Sequence, residues 1–528
     1  RGKRFPSLID ATIEDITAGL EDGVFTSVDL VKTYIARIEE VNPVLHAVTE
    51  VNPLALKVAA ELDEERACGE VRGPLHGVPL LLKNNIGTFT PPDSPSMNTT
   101  AGSTSLIGAH LPRDSHLASL LLSSGAILLG KSNLSQWANY RMNLGSNGWS
   151  THGGQVYGPF YPSQDPSGSS SGSAVGTALG LAAGSLGTET SGSIISPSQK
   201  NGIVGIKPTV GLTSRDLVIP ISEHQDTVGP MARTVRDAAV ILSVLAGRDE
   251  KDNYTSAIPF GSIPDYPSAC QLSGLEGKRL GVPRNAELFA TPLYPNFTLA
   301  KFDSVLPLLS SAGAEMVDPA AFPFADPLDR YPPESSTVLA SDFLANLPRY
   351  LRNLVRNPAN ITDLPSEREY TTGVGAGPEQ YPEHDVGVWD FVLENVSFPN
   401  TDPRFWPAYQ AVLRWGGEFL SIFDTYDLDA IVMPSYYAAV FAAGVGAPLV
   451  TVPLGYAPDG TDVEYNARGN LVDQGPGIPY GLAFLGKHWT EEALIGMAYA
   501  FEQRTNFRAD GNPYIVPSAE LVDFVEEC

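Results

Sequence analysis

Cysteine is nearly absent from this 528-residue chain. Cys68, Cys270 and Cys528 are too few and too scattered for a disulfide scaffold or a metal knuckle. One disulfide stays open as an alternative to buried or idle thiols. Histidine is sparse too: eight residues, with no HExxH and no paired spacing, so neither a metal nor a cofactor is expected. Basic residues are few, 34 Lys and Arg against 60 Asp and Glu, for a formal net charge of −26. Such a surface repels phosphate backbones and anionic lipid, which argues against nucleic acid or a membrane surface as partner. No run of 18 apolar residues occurs, so no segment reads as a membrane-spanning helix. The chain also lacks GxxxxGK[ST] and a strand-linked GxGxxG, the usual phosphate cradles.

What is present is ample apolar material, 43% of residues, enough for a large buried core. Helical and strand patterns alternate. Thr26-Ser27-Val28-Asp29 resembles a capping box and opens a run with Leu30, Val31, Tyr34, Ile35 and Ile38 at helical spacing. A second helix is expected from about residue 53 to 65. Gly77-Val78-Pro79-Leu80-Leu81-Leu82 reads as a buried strand that stops at Lys83-Asn84-Asn85. A helix around 117–124 passes through Gly125 into the strand 126–129, and a similar unit recurs at 302–317. Strands return at 430–433, 449–452 and 481–485, before a closing helix near 491–503. This alternation predicts an α/β fold: one domain over residues 1–528, with a mixed, mostly parallel central sheet covered by helices. Residues 252–425, rich in Pro, Asn and Asp, read as a variable helix and loop region covering the active-site face.

The chain begins at Arg1, and Lys3-Arg4 is a dibasic pair of the kind that processing proteases cut. Six N-x-S/T sequons occur, at Asn98, Asn133, Asn253, Asn296, Asn360 and Asn395, with Asn133 in a stretch that reads as structural. Together these favour a secreted glycoprotein, with a cytoplasmic protein as the alternative. The oligomeric state is not legible.

Residues 150–215 stand apart. Ser150-Thr151-His152-Gly153-Gly154-Gln155 is followed by Asp165-Pro166-Ser167-Gly168-Ser169-Ser170-Ser171-Gly172-Ser173. A small-residue helix is expected from Ala174 to Leu186. Then come Gly187-Thr188-Glu189-Thr190-Ser191-Gly192-Ser193-Ile194-Ile195-Ser196-Pro197 and Gly205-Ile206-Lys207-Pro208-Thr209. A flexible linker would keep its composition, whereas this stretch alternates loop with packed element. Glycine-rich loops let backbone N–H groups close on an anion, either a phosphate or the oxyanion of acyl transfer beside a hydroxyl nucleophile. Gly168-Ser169-Ser170-Ser171-Gly172 also fits the GxSxG elbow of α/β-hydrolases, which would make Ser170 the nucleophile of an esterase. That elbow needs a central strand running into it, and Pro162 and Pro166 stand where the strand would be.

Taken together, residues 153–214 resemble the amidase signature family, whose pattern is GGQ, GSSGGS, TDTGGS and GxKPT. The strand ending in Lys83 resembles the family's upstream lysine motif, and Ser169 and Ser193 lie 24 residues apart as the family's two serines do. Residues 100–103, 131–135, 448–455 and 477–479 also look like family landmarks. The resemblance implies a hydrolase of carboxamide C–N bonds. It makes Ser193 the acylated serine, Ser169 a bridging serine after a cis peptide bond, and Lys83 the base. Main-chain N–H groups of Thr190, Ser191, Gly192 and Ser193 would form the oxyanion hole, with Gln155 and Ser170 in support.

The chemistry is coherent, because a serine hydroxyl is inert until something accepts its proton and a neutral lysine can do so. The lysine pKa must then fall from ~10.4 towards 7–8, about 3–4 kcal/mol of differential stabilisation, which burial can supply. Glu189, Ser191, Ser171 and Ile195 depart from the commoner Asp, Gly, Gly and Arg of the pattern. The variant pattern looks most similar to the peptide amidase branch and its fungal or bacterial relatives, so a peptide C-terminal amide or another small or apolar amide is the expected substrate. An ester or carbamate on the same site is the alternative. Specificity is expected in residues 252–425 and in the aromatic stretch Trp137–Trp149.

Overall fold

The apolar runs at 79–82, 127–129, 430–433, 449–452 and 481–485 become strands of one large sheet. The structure, a computed structural model, describes residues 5–89, 96–284, 294–323 and 332–525. Eleven strands line up in the order Val48–Val51, Ile127–Ser132, Pro79–Lys83, Gly184–Glu189, Thr227–Ala232, Val204–Lys207, Leu449–Tyr456, Pro479–Leu485, Ala430–Pro434, Arg279–Gly281 and Glu315–Val317. The sheet is mixed. Pairing is parallel from Ile127–Ser132 through Pro79–Lys83 to Gly184–Glu189, and again across the last three strands. It is antiparallel between those two runs and at the Val48–Val51 edge. All five residues of Pro79–Lys83 are buried, as expected of a strand covered on both faces.

Helices cover this sheet to make one large α/β domain. The helix Ser27–Leu45 starts at Thr26 with the expected capping box: the Thr26 hydroxyl accepts from Asp29 N while the Asp29 carboxylate accepts from Thr26 N. The expected helix–strand pairs at 116–132 and 296–317 are present. One expectation fails. The helix placed over 174–186 is only Ser171–Ala178, and Gly184–Glu189 is a central strand. Gly180 ends the helix: it has φ +60, and a Cβ there would collide with the Leu8 carbonyl.

The stretch 252–425 is also more than helix and loop, since Arg279–Gly281 and Glu315–Val317 extend the sheet. Its helices Ser335–Leu351 and Phe405–Tyr426 pack together. Phe343 meets Tyr140 edge-on at 5.0 Å, and Trp389 meets Trp137 at 5.9 Å. A second apolar core therefore joins this region to residues 137–140.

Among the described residues no helix is long and apolar enough to cross a membrane. Cys68 and Cys270 are free thiols, the Cys270 thiol being pushed up to about 12 by burial, and Cys528 lies outside the described residues. Asn133 is buried, and its amide donates to the His46 and Gly154 carbonyls at 3.0 and 3.1 Å. Half-buried Asn98 donates to Glu50. The other four sequon asparagines are exposed.

Candidate active site

Lys83 closes a strand flanked by two parallel neighbours, so it sits at the carboxyl rim of that part of the sheet. It is fully buried. Its Nζ donates to Ser169 Oγ at 2.7 Å, to Ser170 Oγ at 2.9 Å and to the Thr188 carbonyl at 3.0 Å. Burial lowers its pKa to about 7, against the opposing pull of the Glu189 and Asp226 charges. Lys131 and Lys207 are buried as deeply and are lowered to about 7 and about 8. Lys131 meets the Ile86 carbonyl and Thr99 Oγ1, and Lys207 meets the carbonyls of Pro208 and Ala447. Only Lys83 faces the serine loop.

Three serines come together there, and their surroundings separate them. The Gly168–Ser169 peptide is cis, and the fully buried Ser169 hydroxyl lies against Lys83. Ser170 is also fully buried, and its hydroxyl donates to the Thr188 carbonyl at 3.1 Å. No strand leads into it; it precedes the helix Ser171–Ala178 directly from a loop. A committed, inaccessible hydroxyl is not a nucleophile, so the elbow geometry is absent at Ser170. Ser193 is 7% exposed, and its hydroxyl has no hydrogen-bond partner among the described residues. A main-chain bond from Ser170 N to Ser193 O, 3.1 Å, stitches the two serine loops together. No hydrogen bond joins the Ser169 and Ser193 hydroxyls themselves.

The turn before Ser193 leaves donors free. The N–H groups of Thr190, Ser191, Gly192 and Ser193 have no acceptor among the described residues, while those of Ile194, Ile195 and Ser196 after them are engaged. Glu189 Oε2 accepts from Ile194 N at 2.7 Å and Ile195 N at 3.0 Å. Ser196 N donates to the Gly192 carbonyl at 2.7 Å. Gly192 has φ +81, in the left-handed region that favours glycine. From the other side, Thr190 Oγ1 donates to Asp226 Oδ1 at 2.6 Å. Asp226 Oδ2 accepts from Ile221 N and Ser222 N at 2.7 and 3.0 Å. Burial pushes the Asp226 carboxyl up to about 6. Such a row of unpaired N–H groups suits a developing negative charge.

Gln155 stands one step back. Its amide donates to the carbonyls of Asn147 and Val156 at 2.6 and 2.9 Å, and it bonds to none of the three serines. Asn147 in turn borders Gly168, where a Cβ would lie 3.0 Å from Asn147 Oδ1. Asn201 went unnoticed in the sequence, although its amide donates to the Pro166 and Pro197 carbonyls at 2.9 and 2.8 Å and so ties the approaches to both serine loops. Asp226 was equally silent, and Glu189 was visible only as a departure from the pattern.

One group of potential metal ligands was not foreseen: Glu223, His224 and Asp342 lie close together. Their oxygens are already engaged. Asp342 accepts from Ser222 Oγ at 2.5 Å and Asn400 Nδ2 at 2.8 Å and lies 2.8 Å from His224 Nδ1, while Glu223 accepts from Asn400 and Arg349. This is a hydrogen-bond network between the 222–226 loop and the helix Ser335–Leu351.

Comparison with known proteins decides the assignment. The amidase family profile matches residues 29–495. A protein of the fungus Arthroderma benhamiae, named as an amidase, is 47% identical over 98% of this chain and 89% of its own length. The chain belongs to the amidase family. This amidase is a hydrolase acting on amides. Its fold is shared with the peptide amidase of Stenotrophomonas maltophilia, at TM-score 0.83 and 36% identity, covering 97% of this chain and 99% of the other. A peptide amidase in complex with the competitive inhibitor chymostatin matches at TM-score 0.84 and 36% identity over 96% of this chain and 99% of that one.

Proposed function

We propose that this amidase hydrolyses peptide C-terminal amides through an acyl-enzyme on Ser193, with Ser169 and Lys83 as its proton relay. The observation that carries the reading is a fully buried lysine of pKa about 7 donating to Ser169, on a loop stitched to the Ser193 loop. Lys83 in its neutral form accepts the Ser169 proton while Ser169 accepts that of Ser193. Ser193 Oγ then bonds to the carboxamide carbon. The carbonyl oxygen becomes an oxyanion facing the free N–H groups of the turn 190–193. The same proton passes back through Ser169 to the leaving nitrogen, the C–N bond breaks, and ammonia departs. Water, deprotonated by the same route, hydrolyses the ester and restores Ser193. The peptide end of the substrate is supported by the likeness to peptide amidases over nearly the whole of both chains. We also propose that the protein is secreted; four exposed sequon asparagines support this.

The test is a panel of peptide amides, fatty amides, anilides, short aliphatic amides, esters and carbamates, following ammonia and amine release in wild type and Ser193→Ala. Ammonia release from peptide amides that vanishes in Ser193→Ala, with a fluorophosphonate adduct mapping to Ser193, is the expected result. Turnover surviving Ser193→Ala, or an adduct on Ser170, refutes the mechanism. Preference for another panel member refutes the substrate.

A further inference from the structure

Lys83 is the last residue of its strand, so the aim of its side chain depends on the turn that follows. That turn is clamped from outside. The Asn84 carbonyl accepts from Thr100 N and Ala101 N at 3.1 and 3.0 Å, and Asn84 Oδ1 accepts from Thr100 N at 2.7 Å and Thr100 Oγ1 at 2.9 Å. Asn84 and Thr100 are both fully buried. Asn85 adds a second tie: its Nδ2 donates at 2.9 Å to Oγ1 of Thr188, the residue whose carbonyl receives Lys83 Nζ.

Thr100 itself needs holding, because residues 98–103 form neither helix nor strand. Its hydroxyl accepts from Gly102 N at 3.0 Å and lies 3.0 Å from His152 Nδ1. The other ring nitrogen, Nε2, faces Glu50 Oε1 at 3.3 Å. Glu50 belongs to the edge strand Val48–Val51 and accepts from Asn98 N and Asn98 Nδ2, both at 2.6 Å. Burial opposes its ionisation, yet the bonds from His152 and Asn98 hold its carboxyl below the ordinary range. A carboxylate at one imidazole nitrogen fixes the ring and so fixes what the other nitrogen presents.

A continuous path of polar contacts therefore runs from the sheet edge to the residue beside Lys83, through Glu50, His152, Thr100 and Asn84. Its outer members reach solvent, the His152 and Glu50 side chains being 13% and 21% exposed, so they can be altered without opening the core.

Resting on the reading of Lys83 as base, we propose that His152 is a positioning residue for amide hydrolysis. Braced by Glu50, it fixes Thr100, which clamps Asn84 and so holds the turn that aims Lys83 at Ser169. His152 touches neither substrate nor the reacting atoms, so its effect falls on the proton transfer and not on binding.

The test compares wild type with His152→Ala, His152→Asn and His152→Gln, reading kcat and KM on a peptide amide, the rate of Ser193 labelling by a fluorophosphonate, and thermal unfolding. An asparagine side chain sets an amide atom near the place of Nδ1, against Thr100. Glutamine sets one near the place of Nε2, against Glu50. His152→Ala should lose about tenfold in kcat and in labelling rate, the scale of one hydrogen bond, with KM within about twofold of wild type. His152→Asn should recover to within about threefold of wild type, while His152→Gln stays close to His152→Ala. Should the alanine variant misfold, the comparison of asparagine with glutamine decides alone. Rates unchanged in His152→Ala, a loss confined to KM, glutamine rescuing as well as asparagine, or losses that follow the unfolding temperatures overturn the inference while leaving Lys83 as base. Labelling of Ser193 as fast in Lys83→Met as in wild type overturns the parent reading, and this inference with it.

Discussion

Replacing Lys83 by methionine should make the enzyme inactive and, near neutral pH, more stable. Methionine keeps the stem of the side chain and removes the charge. In the fold Lys83 titrates at about 7 instead of 10.5, which at 1.36 kcal/mol per pH unit makes its charged form about 5 kcal/mol harder to hold there than in the unfolded chain. Below about pH 7 both states carry the proton and above about 10.5 neither does, so stability is insensitive to pH at both ends. Between those values the unfolded chain binds a proton that the folded chain does not, and wild type gains about 1.4 kcal/mol of stability per pH unit. Lys83→Met lacks that gain. The stability gap between variant and wild type should therefore shift in favour of wild type by roughly 2 to 3 kcal/mol from pH 7.5 to 9.5. Guanidinium unfolding followed by tryptophan fluorescence at both pH values measures it. Lys131 and Lys207, also lowered, are present in both proteins and cancel in the difference. A gap that does not move with pH would refute the claim that the fold holds Lys83 neutral, and amide turnover by the variant would refute its role as base.

Three further outcomes follow from the same geometry. The acid limb of kcat/KM should have a midpoint near pH 7, falling about 100-fold by pH 5 as Lys83 protonates; in Glu189→Gln, which removes the larger of the two charges that raise the Lys83 pKa, the midpoint should move to lower pH. Asp226→Asn should weaken the hold on Thr190 and lower kcat about 10-fold or more with little change in KM, measured by steady-state kinetics on a peptide amide. Peptide mapping of protein from a glycosylating host should find sugar at Asn253, Asn296, Asn360 or Asn395 and none at Asn133, whose amide is committed to two carbonyls.

How far the fold could be read from sequence depended on whether a residue's role lay in its immediate neighbours. Leu80-Leu81-Leu82 declares a buried strand because no solvent-facing alternation interrupts it, and Lys83 at its end is conspicuous for the same reason. Gly184-Ser185-Leu186-Gly187-Thr188-Glu189 declares nothing. It is a central strand made of small and polar residues, because the helix Ser171–Ala178 packs closely on it, and its polar atoms pair with that helix: Ser185 Oγ donates to the Ser173 carbonyl and Ser173 Oγ to the Leu186 carbonyl. Composition could not distinguish it from the end of the preceding helix. The serine motifs were legible as a pattern. Of the groups that hold them, Glu189 and Asn201 act through bonds to main chain and Asp226 through the Thr190 hydroxyl, and only Glu189 lies within the serine motifs themselves.

Burial alone does not make a base, and the three sunken lysines show what else is needed. Lys207 donates to two carbonyls, which have no proton to give. Lys131 meets one hydroxyl, that of Thr99, itself buried and directed at the Ile86 carbonyl at 3.5 Å. A proton taken from Thr99 would leave an alkoxide walled off from any substrate. Lys83 meets Ser169, whose loop is bonded through Ser170 N to Ser193, and Ser193 keeps both an uncommitted hydroxyl and a little exposed surface. A lowered pKa becomes useful only where the proton it can accept belongs to a chain of hydroxyls that ends at solvent. Among these lysines Lys83 alone meets a serine whose loop is bonded to that of Ser193, which is what the proposed relay requires, and the proposal assigns the unpaired N–H groups of Thr190 to Ser193 to the substrate oxygen.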